Sequence, residues 1–205
     1  VNGVPNQAED ARRFSREHGT HVAGVIAANH NDIGIDGIAP EATLVSIKAL
    51  NESDLLYPEA LVCAYEWATT HQVDIVHNSY QMDPWVYWNP TDPEQAAALE
   101  AAERAIHRAQ SSGLAVIAGT GDRGVDIDHP TTDSDSPTDS TPIPNRSVEG
   151  GRMVPAQVSG VVTVSSVGME DWNAEPLRAT LMRAERSNYG ASVDFAAPGE
   201  WIYST

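Results

Sequence analysis

Two histidines stand three residues apart in EHGTHVAGVIAA, residues 17–28, at the mouth of a run of small apolar residues. Three chemistries fit that placement. His18 could act as a general base if a nucleophile and an orienting carboxylate met it. His18 and His21, at i and i+3, could both face a zinc ion. That would need a third ligand and an activating carboxylate, and no H-E-x-x-H pattern is present. Both could also be ordinary structural histidines. Spacing alone leaves the three open. Gly19 would let a substrate or another backbone come close, and Thr20, Val22, Ala23 and Gly24 would let the helix pack tightly below such a site.

The surrounding pattern alternates between helix and strand. A helix is expected from His18 to about Asn29, and ATLVSIKAL (42–50) reads as a buried strand. PEALVCAYEWATTH (58–71) fits a helix and VDIVHNS (73–79) a strand. In the next helix Asp92 can cap, Pro93 suits the first turn and Gly113 stops it, with Leu99, Ala102, Ile106 and Ala109 on one face. LAVIAG (114–119) and GVVTVSSV (160–167) read as further strands. This order predicts right-handed crossovers and a mostly parallel sheet with helices on its faces. Sites in such sheets gather at the carboxyl ends of the strands. NSYQMDPW and GTGDRG, the segments just past the second and third strands, are therefore the ones to inspect.

Bulk properties narrow the partners. Of 205 residues 41% are hydrophobic, enough for a packed core, and the formal net charge is −17. That charge argues against nucleic acid, whose phosphates nothing here would neutralise, and against an anionic membrane surface. It discourages self-association, so a monomer is expected. No apolar run approaches membrane-spanning length. The opening VNGVPNQAED reads as the middle of a loop, so the chain is read as part of something longer. The single cysteine, Cys63, is expected to be a small buried hydrophobe. Residues 122–155 form a long polar stretch with Asp126, Asp128, Asp133, Asp135 and Asp139. It reads as an acidic solvated loop, with a structural calcium ion as the alternative.

EHGTHVAGVIAA resembles the histidine motif of the subtilisin-like serine peptidases, the subtilase (peptidase S8) family. GIAPEATLVSIKAL (37–50), VDIVHNSY (73–80), LAVIAGTGDRG (114–124), VPAQVSGVVTVSSVG (154–168) and SNYGASVDFAAPGEWIYST (187–205) resemble later segments of that family, in register over nearly the whole chain. The resemblance implies an α/β, three-layer subtilisin-like fold: a mostly parallel central sheet with helices on both faces. It implies hydrolysis of peptide bonds through an Asp-His-Ser triad, a polypeptide substrate, no required cofactor, and export from the cell. His18 matches the general base and His21 a structural position. Ser79, Tyr80 and Gln81 match the strand that pairs with substrate backbone, and Gly119, Thr120 and Gly121 the opposite wall of the specificity pocket.

Three departures accompany the resemblance. The aspartate should end a strand upstream of His18, and Asp10, preceded by VPNQAE, does not fit. The serine should follow in a G-T-S-M-A motif beyond Thr205, and Ser204 lies in the approach to it. Residues 1–205 are thus expected to be a partial catalytic domain with one triad member of three, inactive alone. Asp122 occupies the oxyanion-hole position, where the family usually has asparagine. In subtilisin, a member of the family, loss of that donor costs roughly 10²–10³ in turnover. An ionised Asp122 has no proton to give, so it would need a raised pKa or a different donor. One branch of prohormone-processing relatives carries aspartate there too. A weakened pseudopeptidase that still binds extended peptides is the alternative function. Gln81, commonly glycine in the family, and Tyr80 could narrow the pocket. His77, on an otherwise apolar strand, is expected to be packed and hydrogen-bonded.

Overall fold

A computed structural model describes residues 18–169 and 180–204. The described helices are α1 (His18–Ala27), α2 (Pro58–Thr70) and α3 (Ala96–Ser111). The strands are β1 (Ile75–Asn78), β2 (Ala115–Gly119), β3 (Thr132–Asp133), β4 (Arg146–Ser147), β5 (Val162–Met169), β6 (Leu181–Arg183) and β7 (Phe195–Pro198). They fall into two compact units, Val1–Asp54 with Trp201–Thr205, and Leu55–Glu200.

In the larger unit β1, β2 and β5 lie side by side and parallel, Ile75 opposite Ala115 and Ile117 opposite Val162. β7 continues the parallel sheet beside β5, with Val164 opposite Phe195. β6 runs antiparallel along the last residues of β5, Val167 opposite Arg183. The parallel strands need long crossovers, and α2 and α3 belong to them. The two helices pack on each other and α3 lies against β2. α2 turns Leu61, Ala64, Tyr65 and Ala68 inward, and α3 turns Leu99, Ala102, Ile106 and Ala109, the helical stripe read from the sequence. The fold is α/β with a mainly parallel sheet.

Local signals hold at the helix ends with one shift. Gly113, at φ +94°, closes α3: its N–H reaches the carbonyl of Gln110 and that of Leu114 the carbonyl of Ala109. At the other end α3 begins at Ala96, later than Asp92. Asp92 caps a lead-in turn instead, its Oδ1 accepting from the amide of Glu94 at 2.9 Å and its carbonyl from the amide of Ala96 at 2.8 Å.

The expected strand at 42–50 does not form. That segment is irregular, and Leu44 and Val45 are about half exposed, at 48% and 51%. An apolar, β-branched run becomes a strand only when a neighbour completes its ladder, and none of the described residues does so. Cys63 is exposed, against expectation, because it lies beside the inward stripe of Leu61, Ala64, Tyr65 and Ala68 and not on it.

Candidate active site

The segments singled out past VDIVHNS and LAVIAG emerge side by side. Asn78 and Ala118 are register partners at the carboxyl ends of β1 and β2, so the chain leaves the sheet through Ser79–Tyr80–Gln81 on one strand and Gly119–Thr120–Gly121 on its neighbour. Asn78 is fully buried. Its Nδ2 donates across to the carbonyl of Ile117 at 2.9 Å, and its Oδ1 accepts the hydroxyls of Tyr65 at 3.0 Å and Tyr80 at 2.5 Å. Burial pushes both phenols above their ordinary pKa, so they remain donors at any physiological pH. Tyr80 is thereby anchored on Asn78. His77 is hydrogen-bonded as expected but exposed, its Nε2 lying 2.5 Å from Ser79 Oγ.

The second wall is held by a residue that the sequence reading passed over. Asn188, fully buried, donates from Nδ2 to the carbonyl of Thr120 at 2.9 Å. Its Oδ1 accepts from the amides of Arg123 at 2.9 Å and Val125 at 3.2 Å. Backbone pairing extends the clamp: Gly124 N–H donates to the carbonyl of Arg186 at 2.8 Å and Tyr189 N–H to that of Val125 at 3.0 Å. Residues 120–127 are therefore laid against residues 186–189. Asp122 sits at the exposed crest of this loop, and its Oδ2 accepts from Arg186 Nη2 at 2.9 Å. The only signal of the clamp was an amide residue in the run RSNYG, read merely as an approach to the serine motif.

His18 opens α1 in the smaller unit and is exposed. There His21 donates from Nε2 to the carbonyl of Ile202 at 3.0 Å, and Ser204 Oγ donates to the carbonyl of His21 at 2.6 Å. Both side chains are engaged with backbone. Asp10 lies outside the described residues.

The acidic stretch is more ordered than a solvated loop. Val86, Tyr87, Ile127, Val148 and Met153 form a buried cluster, to which the stretch contributes Ile127, Val148 and Met153. Each of its five noted aspartates has a protein donor. Asp126 takes His129 Nδ1 at 2.9 Å, Asp128 the amide of Ser192 at 2.9 Å and Asp133 Arg146 Nη2 at 3.0 Å; Asp135 takes Arg123, and Asp139 the Tyr57 hydroxyl at 2.9 Å. Among the described residues no three His, Cys, Asp or Glu side chains gather as a metal site. Among the same residues no helix is long and apolar enough to cross a membrane.

Comparison with known proteins bears on this geometry. The family model for the subtilase family matches residues 2–205. The chain is 31% identical to subtilisin DY of Bacillus licheniformis over 188 residues, covering 92% of the chain and 53% of that protein. It is 30% identical over 197 residues to subtilisin Savinase of Lederbergia lenta, covering 96% and 56%. It thus spans about half the length of these relatives. The fold is similar to that of the nisin leader peptidase NisP from Lactococcus lactis, with a TM-score of 0.64 and 22% identity, over 88% of this chain and 46% of that one. The epidermin leader peptide processing serine protease from Staphylococcus aureus is similar at a TM-score of 0.65 and 22% identity, over 89% and 39%. With the family model spanning nearly the whole sequence, the chain belongs to the subtilase family.

Proposed function

We propose that this chain is the central part of a serine endopeptidase domain that cleaves extended polypeptides by acyl transfer. His18 is its general base: it takes the proton of a serine supplied from outside these 205 residues and returns it to the leaving amine. Ser79, Tyr80 and Gln81 line one wall of the substrate groove and Gly119, Thr120 and Gly121 the other. Asp122 lies at the oxyanion position. The 205 residues alone, with one triad group of three, do not turn over peptides. The protein is exported and acts as a monomer.

The observation that carries the reading is the register of β1 and β2, with Asn78 opposite Ala118. It supports a groove because two neighbouring parallel strands release their chains at the same edge, where main-chain groups can pair with an extended peptide.

Labelling of the full-length protein with a serine-directed fluorophosphonate tests the reading. We expect labelling that His18→Ala reduces by several orders of magnitude, since the base and nucleophile act as a unit. A properly folded full-length protein that takes no label and cleaves no peptide would instead be a peptide-binding pseudopeptidase.

A further inference from the structure

Asp122 poses a chemical difficulty, because an ionised carboxylate at an oxyanion position can only accept hydrogen bonds. The structure also contains a resolution of it. Arg186 lies 64 residues further along the chain, yet its Nη2 donates to Asp122 Oδ2 at 2.9 Å. Its Nε approaches the carbonyl of Asp122 at 3.4 Å. The placement is built from the backbone up: Gly124 N–H donates to the carbonyl of Arg186, and Asn188 N–H to that of Gly121 at 3.0 Å. Both side chains are about four-fifths exposed, at 79% for Arg186 and 77% for Asp122. An ion pair so exposed adds little to stability. It fixes a guanidinium over the loop, with N–H groups that meet no acceptor among the described residues.

We propose that Arg186, steered by Asp122, is the oxyanion donor that replaces the missing amide. The inference rests on the peptidase reading above. When the serine oxygen bonds to the scissile carbonyl carbon, the carbonyl π pair moves onto oxygen and the serine proton passes to His18. The new O⁻ then meets a guanidinium that brings a donor and a full positive charge, while Asp122 holds its Nη2 and Nε. A donor aimed where charge develops acts on turnover more than on substrate binding.

The test is steady-state kinetics of the full-length protein on a peptide substrate. Arg186→Met keeps the aliphatic stem and removes the donors. It should lower kcat by roughly 10²-fold and leave KM within about threefold. Adding Asp122→Asn to it restores an amide donor and should recover at least roughly tenfold of that loss, which a merely structural role for Arg186 would not produce. Wild-type kcat in Arg186→Met overturns the inference. So does a loss that Asp122→Asn fails to recover. A wild-type protein that neither cleaves peptide nor takes a fluorophosphonate overturns the peptidase reading and this inference together. A labelled wild type with an unimpaired Arg186→Met overturns this inference alone.

Discussion

Asn188 and Gly121 are locked into one another. The amide N–H of Asn188 donates to the carbonyl of Gly121 at 3.0 Å, and a Cβ built on Gly121 would stand 2.7 Å from Asn188 Nδ2. Gly121 also holds φ at +95°, where a side chain is strained whatever the space.

The two positions should therefore fail together. Asn188→Ala strands the amides of Arg123 and Val125 and the carbonyl of Thr120, and should cost about 3 kcal/mol. Gly121→Ala should cost about 2–4 kcal/mol, part of it backbone strain and part displacement of the Asn188 amide. In a double-mutant cycle followed by urea denaturation, Gly121→Ala should cost less in the Asn188→Ala background than in the wild type. Strict additivity would show that the contact carries no energy.

Within the acidic stretch, the Arg146–Asp133 pair should respond differently from the surface pairs. Its side chains are only 12% and 3% exposed, the ion-pair distance is 3.0 Å, and the Arg146 guanidinium also lies 4.6 Å from the centre of the Trp85 ring. Losing one partner leaves the other charge buried, so Asp133→Ala or Arg146→Met should each cost about 3–5 kcal/mol. The double variant should cost less than the sum of the two. By contrast Arg104–Glu100, with side chains 78% and 62% exposed, should shift the melting temperature negligibly when either partner becomes alanine.

The His129–Asp126 pair sets a pH window. The hydrogen bond that its ring N–H donates to Asp126 raises the His129 imidazole above its ordinary 6.5, and the same bond holds the carboxyl below its ordinary 3.8. A raised histidine contributes fully below 6.5 and fades as pH rises through its folded value. A lowered aspartate contributes above 3.8 and fades as pH falls through its folded value. The pair thus tightens its loop between these two ordinary values. In NMR titration the His129 ring should titrate above 6.5 in the wild type and at lower pH in Asp126→Asn than in the wild type. Identical titrations would show that the carboxylate does not reach it.

The sequence made plain what depends on local periodicity. Leu99, Ala102, Ile106 and Ala109 repeat at helical spacing and are the residues α3 buries. The apolar run LAVIAG likewise marks β2, where Val116 and Ala118 are buried. What depends on a distant partner stayed hidden. The run at 42–50 looked like a strand because its composition is that of one, yet a ladder belongs to two segments. Asp122 and Arg186 are 64 residues apart, and no pattern of either neighbourhood announces that they meet. The aspartates of the acidic stretch look like calcium ligands or solvated charge for the same reason. Their partners, Arg123, Arg146, His129, Ser192 and Tyr57, are matched to them only by the fold.

His77 offers a test of how the β1 wall is held. His77 and Ser79 are two apart, so strand geometry turns both side chains to one face, and His77 Nε2 meets Ser79 Oγ at 2.5 Å. Under the proposed function Ser79 belongs to the backbone that pairs with an extended peptide. The imidazole then positions that backbone without touching the reacting atoms. One net hydrogen bond contributes about 0.5–1.5 kcal/mol, so His77→Ala should raise KM for an extended peptide roughly three- to tenfold with kcat retained. Ser79→Ala removes the same contact from the other side, and the double variant should be no worse than either single one. An unchanged KM in His77→Ala would mean that the strand end holds its shape through Asn78 and its two phenols alone.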